Sequence, residues 1–562
     1  MAAESNVSEE LRNWLENEGR TRFVEAMNLS NECAKSDPDN EPHKSKYAAR
    51  EVLLDLKDKL DSFGDVDLKI RSLRSVVMYE LALNHIETDE ISTGEDYINT
   101  IMKDIEECKF NPDFGVVMLK CLQQLGMIWN ERGDFDKSLL NFNKAEIFYN
   151  KYKEMEVNLP LSAEMLFQGK DSSQDIAIEF ENLHTYTLFY LTQLFKNNNE
   201  YRKSAEYSHK TLQRQLSTKQ YVPEDWALHA ATLSQYHIVQ DDYVSARHCL
   251  AAANQIINEC DVSVYSEEKK EKFCETKANI HLCWNKYCLN LLRLSAENQS
   301  EINNNKNIMQ FEGVQLSTIE NEVPFEAVNA FEQARLLFLA GQQYLNLAKQ
   351  FYKLDGYVVK YVEIIQDHSQ LFKYLSAFED DLERKCKMYK RRIDMLAQVY
   401  TELNPQHYLL ICRQLMYEIA SIYDDMADLK MEIVKTFHGN KPSLHQIHKI
   451  NSLHENCAKY FANFIHSFKQ NGRLPDKFES NVLRVILLAH VHLARAYTKQ
   501  IYATTEETLK MQQAALDLYK YVVDYCDHNV EAATVFHDEL IACREMVDLI
   551  PMKLDKISQT KV

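Results

Sequence analysis

The sequence predicts an all-α protein: a right-handed α-solenoid of tetratricopeptide-like helix pairs, arranged in two halves. Three observations predict it. Glycine and proline number only 12 and 10 in 562 residues, whereas sandwiches and barrels need a turn signal about every 8–12 residues. Apolar residues recur at helical spacing along almost the whole chain. A pattern of small and aromatic residues also returns at fixed offsets, as repeat proteins require.

Composition bounds the rest. Hydrophobic residues make up 45% and charged residues 26%, the balance of a folded chain rather than a disordered one. The length exceeds one ordinary domain and fits a few units or one long repeat array. A formal charge of −20, from 84 acidic and 64 basic side chains, repels phosphate backbones and anionic lipid and favours basic protein surfaces. The 13 cysteines are scattered and lack any Cys-x-x-Cys, so they read as reduced, buried thiols rather than a disulfide framework or zinc ribbon. Met1–Glu10 lacks the basic-then-apolar layout of a signal peptide, and no apolar run reaches the roughly 18 residues of a membrane span. A cytoplasmic protein is expected.

Taken in order, residues 1–40 read as an N-terminal helix and polar segment, and 41–295 as an N-terminal repeat solenoid. Residues 296–324, rich in Asn and Glu, read as a flexible linker, and 325–562 as a C-terminal helical-repeat half. The clearest repeat carries Leu125-Gly126, Trp129, Gly133, Phe135, Ser138, Phe142 and Ala145. A small residue in the first helix lets the second pack close, and aromatics fill the joint. An earlier copy carries Leu81-Ala82, His85, Ile91, Gly94, Ile98 and Ile101. Later copies carry Leu191-Thr192, Phe195, Tyr201, Ser204 and Ser208, then Leu233-Ser234, His237, Tyr243, Ala246 and Leu250. The steps between the small first-helix residues are 44, 66 and 42 residues. The long step holds Leu159–Ser173, a projecting loop or inserted short helix. In the second half, helices are expected near 334–348 and 371–382, then at Tyr408–Phe437, Leu444–Asn471, Ser480–Tyr502, Thr505–Cys526 and Val530–Ile550.

Chemical motifs are sparse. No Gly-x-Gly, Gly-x-x-x-x-Gly-Lys, Gly-x-Ser-x-Gly or His-Glu-x-x-His occurs, so nucleotide-cradling loops, nucleophile elbows and zincin sites are absent from the sequence. His281, Cys283 and Cys288, and His454 with Cys457, lie at helical spacings that core residues also adopt, and the core reading is preferred. The cationic island Arg384-Lys385, Lys387, Lys390-Arg391-Arg392 is read first as a partner for Glu379-Asp380-Asp381, and second as a contact for an acidic surface or nucleic acid. The C-terminal Thr560-Lys561-Val562 fits carboxylate-capturing domains only by a short match. Neither catalysis nor a cofactor nor a metal is expected.

The functional signal lies in the repeats. In a solenoid of this type the exposed face of each first helix lines a concave groove. In register, that face holds Gln124 and Met127, then Tyr190 and Gln193, then Thr232 and Gln235. Gln215, late in the third copy's second helix, leads towards the same groove. Tyr190, Gln193, Gln215, Thr232 and Gln235 are therefore the expected partner-binding residues. The first-helix positions carry no basic residue, unlike a clamp for a chaperone tail, which grips a carboxylate with Lys, Arg and Asn.

Longer motifs point further. They include Glu41-Pro42-His43-Lys44-Ser45-Lys46-Tyr47, Ala230-Ala231-Thr232-Leu233-Ser234-Gln235 and Asp355-Gly356-Tyr357 followed by Gln366-Asp367-His368-Ser369. Glu383-Arg384-Lys385-Cys386-Lys387-Met388, Asn404-Pro405-Gln406-His407-Tyr408 and Val522-Val523-Asp524-Tyr525-Cys526 complete the set. Over about residues 14–553 the chain resembles the kinesin-binding protein (KIF-binding protein) family. The resemblance implies a non-enzymatic adaptor that grips the tubulin-facing side of kinesin motor domains in the groove and keeps them off microtubules. It implies roles in axonal microtubule organisation, axon outgrowth and kinesin-driven transport, mitochondrial transport included. It also places groove contacts at Tyr190, Gln193, Gln215 and Thr232. A cytoskeleton-associated monomer is expected, without nucleic-acid binding or membrane insertion. The alternative is a general tetratricopeptide scaffold or chaperone-tail adaptor. The chain departs from the family pattern before Trp14, at the acidic loop Asp61–Asp67 and in the linker Ala296–Pro324, which bears on which kinesins it prefers.

Overall fold

Four residues at equivalent turns have left-handed backbone: Asp89 (φ 65°), Gly133 (φ 75°), Asn199 (φ 61°) and Asp241 (φ 54°). Each stands seven places after the small first-helix residue of its repeat. Gly, Asn and Asp are the residue types that tolerate this conformation with least penalty, which is why they end helices. The next amide then reaches back to the helix it leaves. Glu90 N donates to His85 O (2.8 Å), and Asp134 N to Trp129 O, Glu200 N to Phe195 O and Asp242 N to His237 O (2.9 Å each). The same acidic residue opens the following helix: Asp134 and Asp242 accept from the amides of Lys137 (3.0 Å) and Ser245 (3.1 Å). One turn chemistry thus recurs at four helix-to-helix turns.

The computed structural model describes residues 9–64, 67–155, 158–168, 173–297, 309–314, 316, 320, 323–438 and 442–559. After a π-type turn at Leu15–Gly19, the α-helices run α1 Arg20–Asn31, α2 Lys44–Ser62, α3 Leu68–Glu87, α4 Ile91–Ile105, α5 Gly115–Glu131, α6 Phe135–Glu154 and α7 Ala163–Gln168. Then come α8 Ser173–Asn197, α9 Tyr201–Thr218, α10 Pro223–Val239, α11 Tyr243–Asn258, α12 Glu267–Ala296, α13 Phe331–Phe351, α14 Val358–Ser376 and α15 Leu382–Glu402. The last are α16 Leu409–His438, α17 Leu444–His466, α18 Ser480–Lys499, α19 Thr505–His528, α20 Val530–Val535 and α21 His537–Gln559. The fold is all-α, and helices pack mainly on their neighbours in the chain, as in a helical-repeat array.

Small residues set the closeness of the hairpins. A Cβ on Gly126 would fall 2.7 Å from the Phe142 ring, and one on Gly94 would fall 2.7 Å from the Ala82 carbonyl oxygen. Ser138 Oγ donates to Gly126 O (2.8 Å), and Ser204 Oγ to Thr192 O (3.0 Å). Both bonds span twelve residues, so one joint recurs in two repeats.

The contacts divide the chain into two compact units. One is Met1–Tyr236 with Phe311–Val314; the other is His237–Gln310 with Gln315–Val562. The division falls earlier than the expected linker at 296–324, most of which lies outside the described residues. The described part of that stretch is anchored. In the first unit, Phe311 is 3% exposed, stacks on His209 (4.6 Å) and meets Trp226 edge-on (5.2 Å). In the second, Glu320 Oε1 lies 2.7 Å from His248 Nδ1.

Within 159–173 the chain forms the inserted short helix α7, and it packs inward: Phe167 is fully buried and stacks on Phe23 at 4.1 Å. The expected helix at Leu444–Asn471 stops at His466, because a tight turn at Asn471-Gly472 follows, both with positive φ. The last expected helix breaks at Phe536 and continues past Ile550 through Pro551. Parts of the loop at Asp61–Asp67 and the tail Thr560-Lys561-Val562 lie outside the described residues. Among the described residues, no helix is long and apolar enough to cross a membrane.

Candidate partner-binding trough

Helices α8, α9 and α10 of the first unit each turn one stripe towards a shared trough of about 610 Å³. On α8 the stripe is Tyr186, Phe189, Gln193 and Lys196; on α9 it is Tyr201, Ala205, Ser208, Leu212 and Gln215; on α10 it is Asp225, His229, Thr232 and Tyr236, with Val222 just before its first turn. Steps of three and four residues keep each set on one helical face.

The floor is firm. Trp226 is 1% exposed, and its Nε1 donates to Leu212 O at 3.0 Å. Behind α8 and α9, Arg214 Nη2 donates to Tyr149 Oη (2.7 Å) and pairs with Glu181, which also accepts from Tyr149 Oη (2.6 Å) and Lys153 Nζ (2.9 Å). His184 stacks on Tyr149 at 3.8 Å, and burial pushes its pKa down to about 3. This half-buried network holds the two helices in one relation.

The walls are open. Tyr186 is 58%, Tyr201 54% and Phe189 40% exposed. Rings of this size are normally withdrawn from water, and a cluster of them in a concavity marks a binding surface. Neither Gln193 nor Gln215 has a side-chain hydrogen-bond partner among the described residues. Their amides are open to donate to, and accept from, a partner's backbone. The hydroxyls of Thr192 and Thr232 instead donate to the carbonyls of Leu188 (3.0 Å) and Leu228 (2.8 Å), so those residues present methyl groups. Asp225 and Lys196 are the charged side chains of the lining. With one charge of each sign, the lining is near neutral.

Gln193, Gln215 and Thr232 line this trough; Tyr190 and Gln235 fall outside its lining. Tyr190 stacks on Phe142 (5.4 Å, 15° between planes) and belongs to the joint with Leu191, Leu194 and Phe195. Gln235 Nε2 donates to Ser234 Oγ at 3.0 Å. Each stands one residue from a lining aromatic, Phe189 or Tyr236, and one residue turns a helix by about 100°. In the second copy, Gln124 is 8% exposed and Met127 packs against the same joint, so those positions are interior rather than groove. The sequence reading missed Tyr186, Phe189, Tyr201 and Tyr236. The signal was the second aromatic stripe on α8, outside the one that builds the joint.

The metal-like spacings resolve into core. Burial lowers the pKa of His281 to about 4 and raises those of Cys283 and Cys288 to about 11 and 12. Thiols so disposed stay protonated. Among the described residues no His, Cys, Asp and Glu group is placed to hold a metal ion.

A family profile described as KIF-1 binding protein C terminal matches residues 224–557, from the first turn of α10 almost to the end of α21. The KIF-binding protein of Danio rerio is 36% identical over 96% of this chain and 97% of its own length. That of Homo sapiens is 34% identical over 95% and 97%. The chain belongs to the KIF-binding protein family. A solved structure of kinesin binding protein (KBP) superposes with a TM-score of 0.67 at 33% identity, covering 95% of this chain and 98% of that one. A cryo-EM structure of KIFBP gives 0.66 at 30% identity, covering 97% and 99%. The family profile takes in the α10 wall of the trough, with Trp226 and Thr232. The α8 and α9 walls are covered by the alignments to the full-length relatives.

Proposed function

We propose that this protein is a kinesin-binding adaptor that grips motor domains in the α8–α10 trough and regulates their attachment to microtubules. On this reading it acts in the cytoplasm on the cytoskeleton, as a monomer, and bears on axonal microtubule organisation, axon outgrowth and kinesin-driven transport, including that of mitochondria. Its hairpins are of the tetratricopeptide type and wind right-handedly, with 41–295 and 325–562 as the two halves. The carrying observation is the trough itself: three exposed aromatic rings beside two unpartnered amides, on a floor fixed by Trp226.

The energetics suit a grip of this kind. Aromatic anchors in a firm pocket carry most of an interface's energy, roughly 1–3 kcal/mol each on truncation. Unpartnered glutamine amides add orientation when they meet backbone groups. The charge of −20 accelerates encounter with a basic surface from a distance, while the near-neutral lining sets the hold. A chaperone-tail clamp fits less well, since Lys196 is the single Lys or Arg of the lining and no basic cluster is present there among the described residues.

The test is a pull-down of the full chain against a panel of isolated motor heads, with microtubule co-sedimentation as readout. Wild type is expected to retain a subset of heads and release them from microtubules, and Gln193→Ala with Gln215→Ala to weaken retention severalfold with helicity intact. Retention unchanged in a variant that also carries Phe189→Ala removes the trough from the mechanism.

A further inference from the structure

Six cations occupy nine residues of α15, Arg384, Lys385, Lys387, Lys390, Arg391 and Arg392, in a chain of charge −20. The structure divides them. Arg392 is 3% exposed; its Nε donates to Ser369 Oγ (3.1 Å) and its guanidinium lies 3.9 Å from Glu418, so it serves the interior. Lys390 pairs along the helix with Asp394 at 2.7 Å. Arg384 stays 65% exposed, with only long contacts to Glu379 (3.8 Å) and Asp381 (3.9 Å). Those two carboxylates already accept backbone amides where the helix starts, Glu379 from Asp381 N and Asp381 from Glu383 N and Arg384 N. Lys387 and Arg391 are exposed and have no ion-pair partner among the described residues.

Helix stability does not account for this arrangement. The N-terminal end of a helix carries the positive end of the macrodipole, where cations are disfavoured by a few tenths of a kcal/mol each. Arg384 and Lys385 stand in the first turn of α15 and Lys387 in the second. Arg384, Lys387 and Arg391 also share one face at i, i+3 and i+7, a strip about 10 Å long.

We propose that this face of α15 is a docking strip for an acidic helical segment of a partner protein. Carboxylates at i, i+3 or i+4, and i+7 on such a segment repeat the spacing of the three cations. Guanidinium groups at both ends add bidentate capture of carboxylate. Nucleic acid fits less well, because a strip of this length neutralises few phosphates and Asp381, Glu383 and Asp394 flank it. Exposed pairs are individually weak and screened by salt, so the contact is modest in affinity and sensitive to ionic strength. It lies in the second unit and does not depend on the trough.

The test uses the full chain and fluorescence anisotropy, with a labelled alanine-based helical peptide carrying Glu at i, i+4 and i+7. Its Lys counterpart and a short DNA duplex form the other arms. The Glu peptide is expected to bind at low salt and to weaken at least tenfold in about 0.5 M salt, where the screening length falls to a few ångströms. Arg384→Glu with Lys387→Glu and Arg391→Glu is expected to abolish binding without lowering the thermal midpoint. If that variant folds poorly, the same three changes to Gln are expected to weaken binding at least tenfold. Absence of Glu-peptide binding, equal binding by the folded variants, or tighter binding of the duplex or the Lys peptide overturns the proposal.

Discussion

Two regions pair a helix–helix–helix arrangement with a cavity, and they differ in what they leave unsatisfied. In the first unit, α8, α9 and α10 enclose about 610 Å³; in the second, α18, α19 and α21 enclose about 460 Å³. The first is walled by exposed aromatic rings and unpartnered amides. The second is lined by Leu488, Val491, Ala542 and Met546, and its aromatic residue, Tyr519, is 3% exposed. Its charges largely close on the protein itself. Lys499 binds Asp424 (3.2 Å) and Asp428 (2.7 Å), and Glu539 pairs with Arg484. Volume alone therefore does not distinguish a recognition surface from a packing defect. What distinguishes the trough is a rigid floor under groups with open valences.

The largest expected effect comes from the floor. Trp226→Ala removes a fully buried indole and its bond to Leu212 O, and is expected to cost about 3–5 kcal/mol of first-unit stability. Denaturant unfolding read by hydrogen exchange should place the loss in α8–α10 and leave α18–α21 unchanged. An equal loss in both regions, or none, removes the floor from the comparison.

Acid should separate the two units by the next largest margin. Burial lowers the pKa of His184 to about 3 in the first unit, and of His281, His368 and His490 to about 4 in the second. An unfolded histidine takes its proton near pH 6.5, so below that pH the unfolded chain binds more protons and stability falls. Each such histidine removes roughly 1.4 kcal/mol per pH unit until its folded pKa is reached. Buried carboxylates act in the opposite sense. Burial raises Glu80 to about 7 in the first unit, and raises Asp367 to about 6 and also Asp425 in the second. In the first unit one histidine stands against Glu80; in the second, His281, His368 and His490, together with His454 and His492, which burial also lowers, stand against Asp367 and Asp425. The second unit should lose exchange protection first between pH 6.5 and 4. Simultaneous loss in both units contradicts that balance.

Adjacent aromatics sharpen the contrast within the trough itself. Phe189→Ala should weaken partner binding by about 1–3 kcal/mol with little change in stability, since its ring is already 40% exposed. Tyr190→Ala should do the reverse, lowering stability by about 1–2 kcal/mol through the lost stack on Phe142. Pull-down and thermal melts on the same two proteins check both, and exchanged outcomes would put the binding face one residue further along α8.

That pair also shows what the sequence made legible. The hairpins were readable because small residues at the joints and the aromatics beside them recur at fixed offsets; of the left-handed turn residues seven places on, only Gly133 was read, and Asp89, Asn199 and Asp241 were not. The phase of α8 was not readable, since Phe189 and Tyr190 are both aromatic and only tertiary packing decides which one meets Phe142. The share of α9 in the trough was visible only at Gln215, because second helices were read as joints. In the cationic island, ion pairing was foreseen, but nothing in the local pattern marked Arg392 for the interior; its partners Ser369 and Glu418 come from distant helices. Phe311 lay in a stretch whose polar composition reads as linker, and its burial depends on His209 and Trp226, about a hundred residues away in sequence.

The smallest expected effect tests whether the trough hydroxyls matter. Thr232 lies in the lining, yet its Oγ1 donates to Leu228 O at 2.8 Å within its own helix. That bond uses the proton a partner would need, so recognition at this position rests on the methyl group. Thr232→Val keeps the shape and the methyl and removes only the hydroxyl. Val gives up the bond to the helix, but the acceptor carbonyl keeps its helical partner, so stability should shift by less than about 0.5 kcal/mol. Affinity for a motor head, measured by titration, should stay within twofold. A tenfold loss would mean that the hydroxyl turns outward on binding, and Thr232 would then join Gln193 and Gln215 as a directional contact.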